Sequence, residues 1–306
     1  MLTNKVIFDA IVIGGSFAGL SGAMHLARTG RNICVIDGGQ PRNRFARTSH
    51  GFFGQDGMPP HQMIAEARAK FQTYPNVIFR DSLATTAQKE ADFFSVTLTE
   101  GEVLYGKKLL LAYGVSDVLP EFAGLQERWG KSVLHCPYCH GYEIRGQNLG
   151  ILSTTPESAH QALLVSDWGP TSLFLNGQPQ PDEATLAKLA KRNVTIEATP
   201  LSKLEGTTPD LTGVHLTDGR FIPIRAMFTA SRTKLNSDIA EQLGCVLDDG
   251  MFGKIIRVDS SKQTTISGVF AAGDTTQVMN ATMASADGVM AGAHLHRSLI
   301  FEPLET

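Results

Sequence analysis

The stretch "FDAIVIGGSFAGLSGAMHLARTGRNICVID", Phe8 to Asp37, constrains this chain more than any other. An apolar run ends in two glycines, "LSGAMHLARTG" keeps apolar residues at helical spacing until Gly30, and "NICVID" returns as a second short apolar run. Strand, tight turn, helix and strand in that order make the opening βαβ unit of a dinucleotide-binding fold. Gly14 permits the bend, Ser16, Phe17 and Ala18 lie where the backbone approaches a pyrophosphate, and Gly19 lets the helix pack close to the strand. The helix N-terminus offers N–H groups and a positive dipole end to phosphate. Asp37 falls about 20 residues beyond the turn, where a carboxylate accepts hydrogen bonds from a ribose, and Gly38 follows it. Because Ser16 replaces the second glycine of the usual pattern, the reading rests on strand, helix and acid being in register.

The 306 residues, 42% of them hydrophobic and 30 of them glycine, suit one large or two medium domains with a buried core. A net charge of -3, with 27 Lys+Arg against 30 Asp+Glu and no basic block, leaves no electrostatic footprint for nucleic acid or an anionic membrane. The apolar run at the start is broken by Asp9 and has no signal-peptide cleavage site, and no segment approaches a membrane span. Four cysteines, Cys34, Cys136, Cys139 and Cys245, are not a secreted disulfide framework. A cytoplasmic location is the expectation.

"HCPYCHGYE", His135 to Glu143, can be read as a haem-attachment site, half of a zinc site, a glutaredoxin-like dithiol, or a disulfide working against another redox centre. Haem attachment requires export, of which there is no sign. Zinc requires a second ligand pair, whereas Cys34 and Cys245 are isolated in apolar contexts and His135 and His140 flank the cysteines too directly to close a tetrahedron. No metal site is expected. A glutaredoxin would need a small thioredoxin-like domain around the pair.

A further signal lies near the far end. "ISGVFAAGD", Ile266 to Asp274, is a short apolar strand ending in Gly273 and Asp274, followed by the helical pattern "NATMASADGVMAGAHLHRSL". Between the two ends, "KKLLLAYGVSDVLP" reads as a strand and an A-x-G turn containing Ala112 and Gly114. Taken in order, the three motifs resemble the low-molecular-weight thioredoxin reductases over essentially the whole chain. "DGGQPRNRFARTSHGFFGQDG", Asp37 to Gly57, is similar to a subgroup that includes thioredoxin-reductase-like flavoproteins and the dithiol oxidases of disulfide natural products. The resemblance implies an α/β fold of two Rossmann-like domains, the second inserted into the first. Residues 1–116 and 246–306 would form the FAD-binding domain, and residues 117–245 a pyridine-nucleotide-like domain carrying the cysteines. It implies one FAD per subunit, held by Gly14, Ser16, Phe17, Ala18, Gly19, Asp37, Gly38, Ala112, Gly114, Gly273, Asp274, Ala281 and Thr282. Arg42, Asn43, His50 and Asp56, in the loop after Asp37, would also reach the flavin. Asn280, Ala281 and Thr282 stand where the family usually has Arg-Gln-Ala, which weakens an inherited phosphate contact. Relatives pair as homodimers, and the tail "FEPLET" reads as a short solvated end.

Within this layout Cys136 and Cys139 begin a helix and form the redox disulfide beside the flavin, Cys139 being the flavin-proximal sulfur and Cys136 the one that exchanges with substrate. A helix start lowers a thiol pKa, and Pro137 holds the sulfurs in bridging reach. The family usually has an aspartate after the second cysteine as proton shuttle. Here it is His140, which titrates near neutrality and suits the same work; His135 is the secondary candidate.

Ordinary thioredoxin reductases carry a second glycine-rich turn for NADPH, and the equivalent here is "LGILSTTPESAHQALL". The strand Leu149 to Leu152 and the helix from about Ser158 persist, but Ser153 and Thr155 replace glycines and fill the space through which a pyrophosphate reaches the backbone. Glu157 adds negative charge, and from Gly146 to Ala187 there is no Lys or Arg to hold a 2′-phosphate. The expectation is an FAD-dependent thiol/disulfide oxidoreductase independent of NADPH. A dithiol donating electrons onward to oxygen, reduced ferredoxin, or a second flavin could replace the nicotinamide, with a small dithiol or disulfide or a thioredoxin-like protein as exchange partner. An NADPH-dependent thioredoxin reductase and a non-catalytic flavin-binding redox sensor are the alternatives.

Overall fold

The computed structural model describes residues 6–276 and 280–302. They form two compact units: residues 6–44, 61–116, 233–276 and 280–302 make one, and residues 45–60 and 117–232 the other. Each is an α/β unit built on a Rossmann-like sheet.

In the first unit, seven strands run in the order Val77–Arg80, Ile33–Ile36, Ile7–Ile13, Val103–Leu111, Phe94–Leu98 and Ala84–Lys89, with Val269–Ala271 also on Val103–Leu111. Ile7–Ile13 pairs in parallel with a strand on either side. A central parallel strand is buried on both faces, which is why it reads as a nearly continuous apolar run. Ile11 and Ile13 enter one core cluster with Leu109, Leu111 and Val269, while Ala10 and Val12 enter the other with Leu110 and Phe270. The one acid in the run, Asp9, is buried but accepts bonds from Lys107 Nζ at 2.9 Å and from the Asn32 N–H at 3.0 Å, so its charge is compensated.

The first helix, Phe17–Ala27, packs on the C-terminal helix, Ala281–Phe301, through small residues. A Cβ on Gly288 would lie 2.0 Å from the Ala18 carbonyl oxygen, and one on Gly292 would lie 2.6 Å from that of Gly22. The two backbones meet where no side chain fits. At the chain end, Phe301 is the last residue of the helix and half exposed, Glu302 pairs with Lys108, and residues 303–306 of the expected solvated tail lie outside the described residues.

In the second unit, five parallel strands run in the order Thr195–Glu197, Thr171–Phe174, Leu149–Leu152, Ala226–Thr229 and Val133–Leu134. A three-stranded antiparallel sheet, Leu201–Glu205, Gly213–Leu216 and Phe221–Ile222, accompanies them. The division differs in two places from the boundaries the resemblance implies. Residues 45–60 group with the cysteine-bearing unit, and the return to the first unit comes at residue 233 instead of 246. The second shift has a packing cause, since Ile239, Ala240 and Cys245 are buried in the same cluster as Ile256 and Val269.

Gly288→Ala is expected to force the two helices apart and to cost about 1 to 3 kcal/mol of stability. Urea unfolding followed by circular dichroism measures it, and a midpoint equal to wild type would contradict this close packing.

Candidate active site

The first strand-to-helix turn is shaped for a diphosphate by what it lacks. Gly14 has φ +108°, and a Cβ there would sit 2.2 Å from the Ala112 carbonyl oxygen; on Gly19 it would sit 1.7 Å from that of Gly14. The Gly15 N–H donates to Asp37 Oδ1 at 3.1 Å, locking the turn to the end of the second strand. The Ser16 hydroxyl makes no cap bond to the helix it precedes. Gly273, at φ +77°, comes against Ala18, where Cβ to Cβ would be 2.8 Å, and its N–H donates to the buried Asp287 at 2.8 Å.

Gly14, Ala18, Gly19, Asp37, Ala112 and Gly273 are therefore brought together. Arg42, far away in sequence, reaches Asp274 with Nη1 3.2 Å from Oδ2, and Asn43 lies in the same short turn, Arg42–Phe45. Ala281 and Thr282 open the C-terminal helix. Asn280, noted in the sequence only as a lost arginine, is its cap: Oδ1 accepts the N–H groups of Thr282 at 2.9 Å and Met283 at 3.2 Å. A bare cradle, an acid at the strand end and a helix N-terminus fit a dinucleotide cofactor.

His50 and Asp56 belong to the other unit. They lie in the unit that contains the cysteines, where His50 Nδ1 is 3.6 Å from Asp56 Oδ2.

Cys136 and Cys139 are joined as a disulfide with Cα atoms 5.4 Å apart. Cys136 caps Pro137–His140, and its Sγ accepts the Cys139 N–H at 3.2 Å. This is a single helical turn, too short to build the dipole expected from the sequence; the local amide on Cys136 Sγ takes that role. The residue before it is anchored by Gln161 Nε2, which donates to the His135 carbonyl at 2.9 Å. Tyr138, between the cysteines, is exposed and stands edge-on to Trp168 at 5.6 Å. His140 is half-buried, and this desolvation lowers its pKa below the ordinary imidazole value, opposed by the charge of Glu143 and assisted by that of His50. A neutral ring on the residue next to Cys139 is of a type that can accept a thiol proton.

The second turn, Ser153 to Ser158, is closed from within. Ser158 is fully buried, and its Oγ accepts the N–H groups of Thr154 at 3.1 Å and Thr155 at 3.3 Å. Pro156 has no N–H to offer. Thr154 Oγ1 ties the turn to the Ala230 carbonyl at 2.8 Å, and the Glu157 carboxyl is held below its usual range, mainly by its own backbone N–H. Although residues 146–187 contain no cation, the charge of Arg232 reaches Glu157 from a later segment.

Cys34 and Cys245 are buried free thiols, and burial pushes Cys34 up to about 12. Among the described residues no group of three or more His, Cys, Asp or Glu could hold a metal ion, and no helix is long and apolar enough to cross a membrane.

A family described as pyridine nucleotide-disulphide oxidoreductase matches residues 8–149 and 174–288. The chain belongs to that family. Membership implies FAD binding and makes the protein a thioredoxin reductase-like flavin disulfide oxidoreductase. It is 32% identical to thioredoxin reductase sirT of Leptosphaeria maculans, over 96% of this chain and 94% of that protein. Among solved structures it is similar to an oxidoreductase from Agrobacterium tumefaciens, with 44% identity, a TM-score of 0.92 and coverage of 97% of this chain and 99% of that one. It is similar also to HlmI, at 30% identity and a TM-score of 0.91, over 99% and 96% of the two chains.

Burial separates the four cysteines into two classes, buried Cys34 and Cys245 and partly exposed Cys136 and Cys139. After mild reduction, the native protein is expected to take up two alkyl groups from iodoacetamide at pH 8, at Cys136 and Cys139, and none before reduction. Peptide mass spectrometry reads this, and rapid labelling of Cys34 would contradict the assignment.

Proposed function

We propose that this protein is an FAD-dependent thiol/disulfide oxidoreductase that works without NADPH, moving electrons between the Cys136–Cys139 pair and an external dithiol or disulfide. The observation that carries the reading is the Ser158 hydroxyl on the amides of Thr154 and Thr155. A diphosphate binds such a turn through free, unobstructed N–H groups, and here two are engaged by a buried hydroxyl. Displacing it would leave that hydroxyl unsatisfied, at about 1 to 3 kcal/mol.

The residues divide the work simply. Cys136 exchanges with the external partner, Cys139 is the inner sulfur of the pair, and His140 moves the thiol proton. The Gly14–Gly19 turn, Asp37, Gly38, Arg42, Asn43, Ala112, Gly114, Gly273, Asp274, Ala281 and Thr282 hold FAD, which when bound supplies a two-electron carrier. The relative from Leptosphaeria maculans bears the name thioredoxin reductase, which supports a thioredoxin-like protein or a small disulfide as partner. The exposed apolar side chains of Met283, Val289 and Met290 on the C-terminal helix support a homodimer.

An NADPH-dependent thioredoxin reductase is the second reading, favoured by that same name. Anaerobic addition of each reductant separately, with flavin absorbance as readout, distinguishes them. A small dithiol or reduced ferredoxin is expected to bleach the flavin, and NADPH or NADH to leave it oxidised; rapid bleaching by NADPH overturns the proposal. Cys136→Ser is expected to lower dithiol or disulfide turnover by at least about a hundredfold while FAD stays bound. Unaltered turnover in that variant would remove the exchange role and favour a non-catalytic sensor.

A further inference from the structure

Two carboxylates meet at the Gly273–Asp274 turn, and no neighbour in the sequence compensates either, since from Gly273 to Asp287 there is no Lys, Arg or His. Asp274 is matched from far away by Arg42, whose Nη1 is 3.2 Å from Oδ2. The second acid, Asp287, lies in the C-terminal helix with a side chain only 7% exposed, and its partner is Lys262, 18% exposed. Lys262 Nζ pairs with Asp287 Oδ1, while Oδ2 accepts the Gly273 N–H at 2.8 Å and stands 3.1 Å from the Thr276 hydroxyl. All of these residues belong to one compact unit.

The place of this carboxylate gives the pair its meaning. Gly273 packs on Ala18, in the first turn of the helix Phe17–Ala27. Asp287 is therefore one hydrogen bond from a glycine that touches the diphosphate cradle. A buried anion left without a cation there would repel an anionic cofactor through surroundings that screen it weakly.

Lys262 is held for the task. It sits at φ +64°, in the left-handed region that residues other than glycine seldom occupy. Asp259 closes the turn around it, Oδ1 accepting the N–H groups of Ser261 at 2.8 Å and Gln263 at 3.0 Å. The Lys262 carbonyl accepts the Ala271 N–H at 3.0 Å. Backbone and side chain together thus grip both flanks of Gly273, the strand before it and the helix after it.

We propose that Lys262 is a positioning residue for FAD: its ammonium compensates the buried Asp287 carboxylate, so that this carboxylate can fix Gly273 without repelling the diphosphate. The inference rests on the reading that the Gly273–Asp274 turn holds FAD. Neither Lys262 nor Asp287 takes part in the sulfur chemistry.

The test measures FAD affinity by ultrafiltration of the FAD-loaded protein across a dilution series, with flavin absorbance of the filtrate as readout and circular dichroism as the check on folding. Lys262→Met is expected to weaken FAD binding by about tenfold or more. Adding Asp287→Asn to it is expected to return the affinity to within about threefold of wild type, because the amide still offers an oxygen to the Gly273 N–H but carries no charge. Lys262→Arg keeps the charge and is expected to stay within about the same threefold. A role in packing alone would add the two losses instead of cancelling them. Wild-type affinity in Lys262→Met, or a double variant that binds no more tightly than Lys262→Met, overturns the inference. Asp274→Ala tests the reading beneath it: undiminished FAD affinity in that variant shows that the turn does not hold the cofactor, whereas a loss there beside an unaffected Lys262→Met leaves that reading standing and the inference wrong. Should Lys262→Met fail to fold, the double variant and Lys262→Arg decide, and a loss beyond about threefold in either overturns the proposal.

Discussion

Backbone N–H groups at a strand-to-helix turn must bond to something, and what they bond to decides whether the turn can hold a diphosphate. The chain contains two such turns. In the first, side chains are missing where they would collide, the Gly15 amide is taken by Asp37 at the strand end, and the helix start carries no side-chain cap. In the second, Ser158 turns its hydroxyl back onto Thr154 and Thr155 and satisfies the turn internally. One topology thus yields an open cradle and a sealed one, and the difference lies in a handful of atoms.

On the proposed reading, a second turn bonded to Ser158 leaves the cysteines to exchange with an external dithiol or disulfide instead of relaying electrons from a nicotinamide. A disulfide between Cys136 and Cys139, capped by one amide and flanked by a half-buried imidazole, is suited to exchange with thiols of neutral pH chemistry. Burial meanwhile keeps Cys34 and Cys245 out of the chemistry.

Much of this is written locally in the sequence. The Phe8 to Asp37 unit is legible because its glycines, apolar runs and acid are neighbours in the chain, and the cysteine pair is legible for the same reason. The blocked second turn is half legible: Ser153 and Thr155 show that side chains occupy it, but the bond acceptor is Ser158, whose inward hydroxyl no spacing rule reports. Contacts between distant segments are the illegible part. Arg42 meets Asp274 across 232 residues, Arg232 acts on Glu157, and Glu143 ends a motif whose partner, His50, sits in a loop that sequence resemblance directs to the flavin. The short reach of Pro137–His140 was also hidden, because a helix start is easier to read than a helix length.

Titration calorimetry of the oxidised, FAD-loaded protein with NADP+ probes the sealed turn without involving turnover. No saturable heat is the result expected from a turn whose amides are already bonded to Ser158. Stoichiometric binding, lost in a variant with bulk placed at Thr155, would show that the turn opens to the nucleotide and would contradict a nicotinamide-independent enzyme.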